Sequence, residues 1–175
     1  MSRLRRIETC GRLFFVTTNL SKRFSRFSPV EMDVCLITLE QARTKHKFEL
    51  HAYVVMPDHV HILIGVFGSS VPGVMRDWKR ATTLSILKER KSRGPMWQTR
   101  YFDFIPRRVR DFWQKMEYIH SNPVVQRLAR TPDEWRWSSA GFYSGKRTPP
   151  IPVDEPHLPL DADAPLWPMH GKGRM

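Results

Sequence analysis

Two histidines separated by one residue are the first side chains in this sequence whose types and spacing could do chemistry. His59 and His61 directly follow a Pro-Asp pair, which is typical of a tight turn between two strands. The even-numbered residues from Val60 to Val66 are all apolar and β-branched, so they should form the core face of a strand. Both imidazoles would then point to the opposite face, where their ring nitrogens can converge on one metal ion.

This histidine pair also has an ordinary structural interpretation. An isolated His-x-His is more often two polar side chains on the solvated face of a strand. The clean apolar face, the adjacent Asp58 and the position at the start of a strand favour metal binding here. His51 lies on the neighbouring predicted strand and could join the site, although a lone histidine is more often a surface or hydrogen-bonded residue.

A tyrosine and an asparagine four residues apart form a second candidate group. After Pro106 an apolar stripe follows helical spacing, and Tyr118 and Asn122 lie together on its flank. The stripe consists of Val109, Phe112, Trp113, Met116 and Ile119. A hydroxyl and an amide oxygen are thus offered in the same direction. Alternatively, Tyr118 could cover an edge of the core, and Asn122 before Pro123 could cap a following helix.

The two groups together suit attack on a phosphodiester. A divalent ion bound by neutral imidazoles and an amide oxygen would offset the negative charge of the phosphate and polarise its phosphorus. Mg²⁺ or Mn²⁺ fits such a mixed set of ligands, and Mn²⁺ matches imidazole better. Tyr118 would be a covalent nucleophile that needs activation, because the pKa of a tyrosine is ordinarily near 10. The phosphotyrosine product keeps the phosphate bond, so a second DNA end could resolve it without ATP.

The composition favours a nucleic-acid partner. Lys and Arg outnumber Asp and Glu by 29 to 17, which gives a formal charge of +12 over 175 residues. The two cysteines form no Cys-x-x-Cys pair, so neither a disulfide framework nor a thiolate zinc site is indicated. The basic N-terminus lacks the apolar run of a signal peptide or membrane span. The sequence indicates no small-molecule cofactor. We therefore expect a cytosolic protein.

The elements that must position these residues follow the order strand, helix, strand, strand, helix, strand and further helices. The predicted strands cover about 13–18, 48–56, 59–67 and 96–105, and the first two helices cover about 29–47 and 71–90. A third helix begins after Pro106 and stops or bends at Pro123, a short helix covers about 124–129, and a capping box at 131–134 begins another turn. This order predicts an α+β ferredoxin-like fold, a four-stranded antiparallel sheet with helices on one face, which leaves the other face open for chemistry.

The domain organisation and the DNA contacts follow from composition. Residues 1–145 should form one domain, and the many prolines from 146 to 175 predict an extended or disordered tail. Six basic residues are candidates for contacts with DNA phosphates: Arg76, Lys79, Arg80, Arg107, Arg108 and Arg110. Alternatively, these residues could simply form solvent-exposed helix faces. Trp97 and Tyr101 are candidates for stacking on unpaired bases, with packing in the core as the alternative.

Three segments together resemble a known family. They are the run from Ala52 to His61 (AYVVMPDHVH), the run from Tyr118 to Val124 (YIHSNPV), and the run from Trp135 to Ser139 (WRWSS). In this order they resemble the HUH single-tyrosine transposases, most closely the REP-associated tyrosine transposases, over about residues 14–139. One departure is Phe104, since the family often has a histidine or another polar residue at this position.

The resemblance implies a mechanism and a substrate. His59, His61 and Asn122 would bind the divalent ion, and Tyr118 would form a 5′-phosphotyrosine and free a 3′-hydroxyl. The substrate would be single-stranded repetitive palindromic DNA folded as a hairpin with a short flanking guide sequence. Relatives occur as monomers and as homodimers, and many are domesticated bacterial proteins. The resemblance therefore also implies a protein of the bacterial cytosol, associated with the nucleoid.

Two other functions remain open from the sequence. The same basic fold could be a non-catalytic module that binds hairpin DNA or structured RNA. A replication initiator of the wider HUH class would use the same nucleophile, but such proteins normally carry a helicase or a larger domain. The target DNA sequence and the distinction between a mobile element and a host protein are left open.

Overall fold

Four antiparallel strands form the sheet of this protein, whose computed structural model describes residues 12–24 and 26–166. The strands are β1 (Arg12–Asn19), β2 (Glu49–Val55), β3 (His59–Val66) and β4 (Phe102–Phe104), arranged in the order β2-β3-β1-β4. The helices of the described residues are α1 (Pro29–His46), α2 (Val71–Glu89), α3 (Val109–Val125) and the short α4 (Ala140–Tyr143), with a 3₁₀ turn at Pro132–Glu134. The predicted ferredoxin-like α+β fold is confirmed.

The turn between β2 and β3 fixes where the histidine pair lies. The amide of Met56 donates to the carbonyl of His59 over 2.8 Å, and the amide of Leu20 donates to Asp58 over the same distance. These bonds tie the turn both to its own hairpin and to the end of β1. In the β1–β3 register Asn19 therefore lies opposite His59, and Thr17 lies opposite His61.

The two faces of the sheet pack against different helices. The even-numbered residues of β3 belong to a core shared with α1 and α2, as their alternation predicts. The face that the sequence analysis left open is partly covered by α3, which buries Phe112, Met116 and Ile119 against Leu63 and its neighbours. An amphipathic helix must bury its apolar stripe, and this face offers the matching surface.

Three predicted elements differ from the structure. The fourth strand is limited to Phe102–Phe104, and the earlier part of the predicted range contributes an isolated bridge between Trp97 and Leu20. Helix α3 includes Pro123 near its end, where the missing amide costs one hydrogen bond and the helix continues to Val125. The short helix predicted over about 124–129 is absent, since Arg127 adopts a left-handed backbone with φ of 57°.

The proline-rich segment packs against the domain as far as residue 166. Ile151 is buried in the core that contains α1 and α2, and Leu166 is buried in the core beneath α3. At the start of α3 the amides of Val109 and Arg110 donate to the carbonyls of Ala164 and Ala162. The boundary near residue 146 stays a prediction, and residues 167–175 lie outside the described part of the chain.

None of the helices in the described residues has the length and apolar character that a membrane crossing requires. Cys35 is buried and free, while Cys10 lies outside the described residues.

Candidate active site

His61 occupies a buried position in the middle of the site. Only 3% of its surface is exposed, and its Nδ1 lies 2.7 Å from the hydroxyl oxygen of Thr17 on the neighbouring strand. Burial, together with the smaller effects of the nearby His59 and Lys115, lowers the pKa of His61 to about 3. The imidazole is therefore neutral at physiological pH, which is the state a metal ligand requires.

His59 lies beside His61 at the entrance of the strand. Its Nδ1 is 2.7 Å from a carboxylate oxygen of Asp58, and the centroids of the two imidazole rings are 4.7 Å apart. The Asp58 carboxylate can accept a hydrogen bond from the Nδ1–H of His59. This bond fixes the tautomer and the orientation of the ring, so that Nε2 carries the lone pair. Asp58 thus orients His59 in the way that carboxylates orient metal-binding histidines.

Asn122 joins the two histidines from helix α3. Its amide nitrogen donates to Nε2 of His61 over 3.2 Å, and its Oδ1 lies 3.3 Å from Nε2 of His59. The side chain is 7% exposed and lies within α3, so it does not cap a following helix. The sheet and the helix therefore bring three potential ligand atoms to one point.

The chemistry of this set of atoms fits a divalent cation. When the Nδ1–H of His59 donates a hydrogen bond to Asp58, the Nε2 atom of His59 carries no proton. Its lone pair then faces the Oδ1 lone pairs of Asn122. Two acceptors at this distance repel each other unless a positive charge lies between them. Among the described residues no group of three His, Cys, Asp or Glu side chains is placed to hold a metal, and here the third donor is an amide.

Tyr118 lies next to this cluster with its side chain open to solvent. Its ring meets the ring of His61 edge-on at 5.2 Å between centroids and that of Phe15 at 5.8 Å. It is 48% exposed. The sequence predicted that the phenol lies on a flank of α3, and the structure places that flank over the histidines.

The other three tyrosines of the chain are less suited to be a nucleophile. Burial raises the pKa of Tyr53, Tyr101 and Tyr143 above the ordinary value. The hydroxyl of Tyr53 donates to the carbonyl of Ile151, and that of Tyr143 donates to His51. Tyr118 is thus the tyrosine whose hydroxyl a substrate can reach most easily.

The basic residues predicted to contact DNA fall into two groups. Arg76, Lys79 and Arg80 line one groove of about 510 Å³ together with Trp97 and Tyr101. Within this groove the Lys79 ammonium donates to the carbonyl of Gln98 over 2.5 Å, and burial lowers the pKa of Lys79. Trp97 is only 6% exposed, so its ring packs in the core.

The second basic group surrounds the start of α3. Arg107 is exposed there, and Arg108 and Arg110 both pair with the carboxylate of Asp163, at 3.4 Å and 2.6 Å. The guanidinium groups of Arg108 and Arg110 are therefore paired with a carboxylate of the proline-rich segment. Charge counting along the sequence did not predict this long-range contact.

His51 is not part of the cluster. It lies at a bulge in β2 near Leu63 and Ile64, with Nδ1 2.9 Å from the carbonyl of Asp154 and its ring against Phe112. Thr17, which touches His61, was missed by the sequence analysis. Its signal is weak, because only the pairing register of β1 with β3 places that hydroxyl beside the imidazole.

Several known proteins are similar to this chain in sequence or in fold. The family model described as "Transposase IS200 like" matches residues 15–122, more than half of the chain. A REP-associated tyrosine transposase of Escherichia coli (strain K12) is 24% identical over 145 residues, covering 79% of this chain and 82% of that protein. A Haemophilus influenzae protein predicted to be of the same kind is 24% identical over 177 residues, covering 93% and 99%. A solved structure of a REP-associated tyrosine transposase bound to a REP hairpin superposes with a TM-score of 0.69 at 23% identity, covering 94% of this chain and 98% of that one.

Proposed function

Since this chain belongs to the IS200-like transposase family, we propose that it is a metal-dependent endonuclease and strand-transferase for single-stranded DNA, with Tyr118 as its nucleophile. The observation that carries the proposal is the meeting of His59, His61 and Asn122 beneath the exposed Tyr118 ring. A non-specific DNA-binding surface does not need two oriented imidazoles and an amide at one point.

The proposed reaction is a direct displacement at phosphorus. The phenolic oxygen of Tyr118 bonds to the phosphorus of the scissile phosphodiester as the bond from phosphorus to the 3′ oxygen breaks. The phenol gives up its proton and the departing 3′ oxygen gains one, so the products are a 5′-phosphotyrosine and a 3′-hydroxyl. A second 3′-hydroxyl reverses the same exchange and completes strand transfer.

The protein's own groups prepare this step. Nε2 of His59, Nε2 of His61 and Oδ1 of Asn122 would hold Mg²⁺ or Mn²⁺, while Asp58 and Thr17 keep the two rings in orientation. When bound, the ion supplies the positive charge that offsets the phosphate oxygens and polarises the phosphorus. The half-exposed position of Tyr118 lets the phosphate of an unpaired strand reach both the phenol and this cluster.

The proposed substrate is a hairpin-bearing single strand of the REP type. A structurally similar transposase is bound to a REP hairpin, and the net charge of +12 on this chain favours any such polyanion. The groove with Arg76, Lys79 and Arg80 would follow the phosphates of the DNA.

Covalent capture of DNA tests the proposal. The full chain is incubated with a hairpin-bearing single strand and Mn²⁺, and a protein–DNA adduct that survives denaturation is sought on a gel. We expect an adduct with the wild type and with Tyr101→Phe, and none with Tyr118→Phe or after chelation of the metal. A band that shifts under native conditions without any adduct would instead identify a non-catalytic binding module. An adduct that persists in Tyr118→Phe would refute the assigned nucleophile.

A further inference from the structure

Two exposed phenylalanines on the edge strand lie on the same face of the sheet as the candidate site. Phe102 is 58% exposed and Phe104 is 36% exposed. In the register of β1 with β4, Thr17 lies opposite Phe102 and Phe15 lies opposite Phe104. Because directly opposed residues of antiparallel strands share a face, both phenyl rings point to the side that carries His61 and Tyr118.

The buried ring of Phe15 connects these exposed rings to the site. The Phe15 ring is stacked with His61 at 5.5 Å between centroids and meets Tyr118 edge-on at 5.8 Å. The Phe102 ring meets the Phe15 ring edge-on at 6.4 Å between centroids. The Phe15 ring is thus in contact both with the candidate nucleophile and with one of the two exposed rings.

An ammonium group lies among these rings. The Nζ of Lys115 is 4.8 Å from the centroid of Phe104, 4.9 Å from that of Phe15 and 5.8 Å from that of Tyr118. Within the described part of the chain no carboxylate lies within ion-pair distance of this ammonium. Its positive charge is held by ring faces, which attract a cation but leave it able to bind an anion.

We propose that Phe102, Phe104 and Lys115 form a stacking platform for the unpaired nucleotide next to the phosphate that Tyr118 attacks. The inference rests on the proposed function for the position of that phosphate. The phenyl faces would take the base and the ammonium would take the adjoining backbone phosphate. A purely apolar partner is disfavoured, because covering the platform would bury the Lys115 charge without an anion.

The chemistry of the platform also sets its selectivity. Every nucleobase offers a π face, so stacking on phenyl rings accepts any base, and no hydrogen-bonding side chain stands at these two positions. The platform would therefore tighten binding of the single-stranded flank without selecting its sequence. Selection among DNA targets would have to come from other contacts.

Fluorescence of a base analogue tests the platform without any cleavage. The probe is a set of hairpin-bearing single strands, each with 2-aminopurine at one position of the unpaired flank, mixed with the full chain in the presence of EDTA. Stacking on an aromatic ring quenches this base. We expect quenching at one or two adjacent positions with the wild type, and loss of that quenching together with roughly ten-fold weaker binding in the Phe102→Ala/Phe104→Ala double variant.

Matched variants separate stacking from folding and from general apolar contact. Phe67 is 38% exposed beyond the other end of β3, and Phe67→Ala should keep both quenching and affinity. Phe104→Tyr should keep quenching, whereas Phe104→Leu should reduce it. Lys115→Gln should weaken binding and flatten its dependence on salt. Quenching that is unchanged in the double variant would overturn the platform.

The two proposals can fail independently. Tyr118→Phe should still quench the probe although it forms no adduct. If the wild type forms no adduct but its quenching depends on Phe102 and Phe104, the platform stands and the nuclease proposal falls. If the wild type forms an adduct and the double variant binds and reacts equally well, the nuclease proposal stands and the platform falls.

Discussion

His120 links the helix that carries Tyr118 to the sheet, and this link should make the protein sensitive to acid. The Nε2 of His120 lies 2.8 Å from the hydroxyl oxygen of Ser139. Ser139 in turn makes three hydrogen bonds with Tyr53 of β2. Its hydroxyl accepts from the Tyr53 amide, and both its hydroxyl and its own amide donate to the Tyr53 carbonyl. Protonation of His120 would place a charge in this buried contact.

The size of the effect follows from the pKa of His120. Burial lowers it to about 4, while in the unfolded chain it should lie near the ordinary value of about 6.5. As the pH falls below about 6.5 the unfolded chain therefore takes up the proton first, and the stabilisation due to neutral His120 is lost progressively until the pH reaches about 4. At a slope of about 1.4 kcal/mol per pH unit, the free energy of unfolding falls by about 2 kcal/mol between about pH 7 and pH 5 from this residue alone.

Urea unfolding at these two pH values measures that loss. His120→Gln keeps a side chain that can bond Ser139 but removes the titrating group. The drop in unfolding free energy between the two pH values should be smaller by about 2 kcal/mol in this variant than in the wild type. The exposed His157 provides the matched control, and His157→Gln should behave as the wild type does. Equal pH dependence of the wild type and His120→Gln would show that this reasoning is wrong.

Three further predictions concern the site, the groove and the core. Thr17→Val removes the hydroxyl beside His61 and should weaken Mn²⁺ binding by about 10- to 100-fold in a calorimetric titration; unchanged affinity would show that Thr17 does not orient the ring. Arg76→Gln with Arg80→Gln should lower the slope of log affinity for single-stranded DNA against log salt by about 2, and an unaltered slope would remove this groove from the DNA path. Phe112→Ala empties a fully buried site beneath α3 and should cost about 3–5 kcal/mol in urea unfolding, together with loss of the DNA adduct, whereas a loss under 1 kcal/mol would contradict the packing described.

The parts of the site that the sequence predicts are those set by local periodicity. Alternation along β3 places His59 and His61 on one face, and helical spacing places Asn122 one turn after Tyr118. The structure brings these four residues together, while their roles stay predictions. The order of elements likewise predicts the sheet topology, because few arrangements accommodate that order.

The contacts that the sequence did not predict join residues far apart in the chain. The bond between Thr17 and His61 depends on the register of β1 with β3, and the Asp163 pairs depend on the path of the proline-rich segment. The fourth strand was predicted too long, since its aromatic residues have strand propensity wherever they lie and only tertiary packing limits the pairing to Phe102–Phe104.

The carbonyls of Ala162 and Ala164 have a consequence for anion recognition. The first amides of a helix ordinarily have no hydrogen-bond partner within the helix. The helix N-terminus can therefore bind a phosphate. In this protein the amides of Val109 and Arg110 already donate to the carbonyls of the proline-rich segment. The N-terminus of α3 therefore has fewer free amides with which to bind an anion. Any DNA phosphate that approaches this end must be met by arginine side chains, which reach further from the backbone and can change partners.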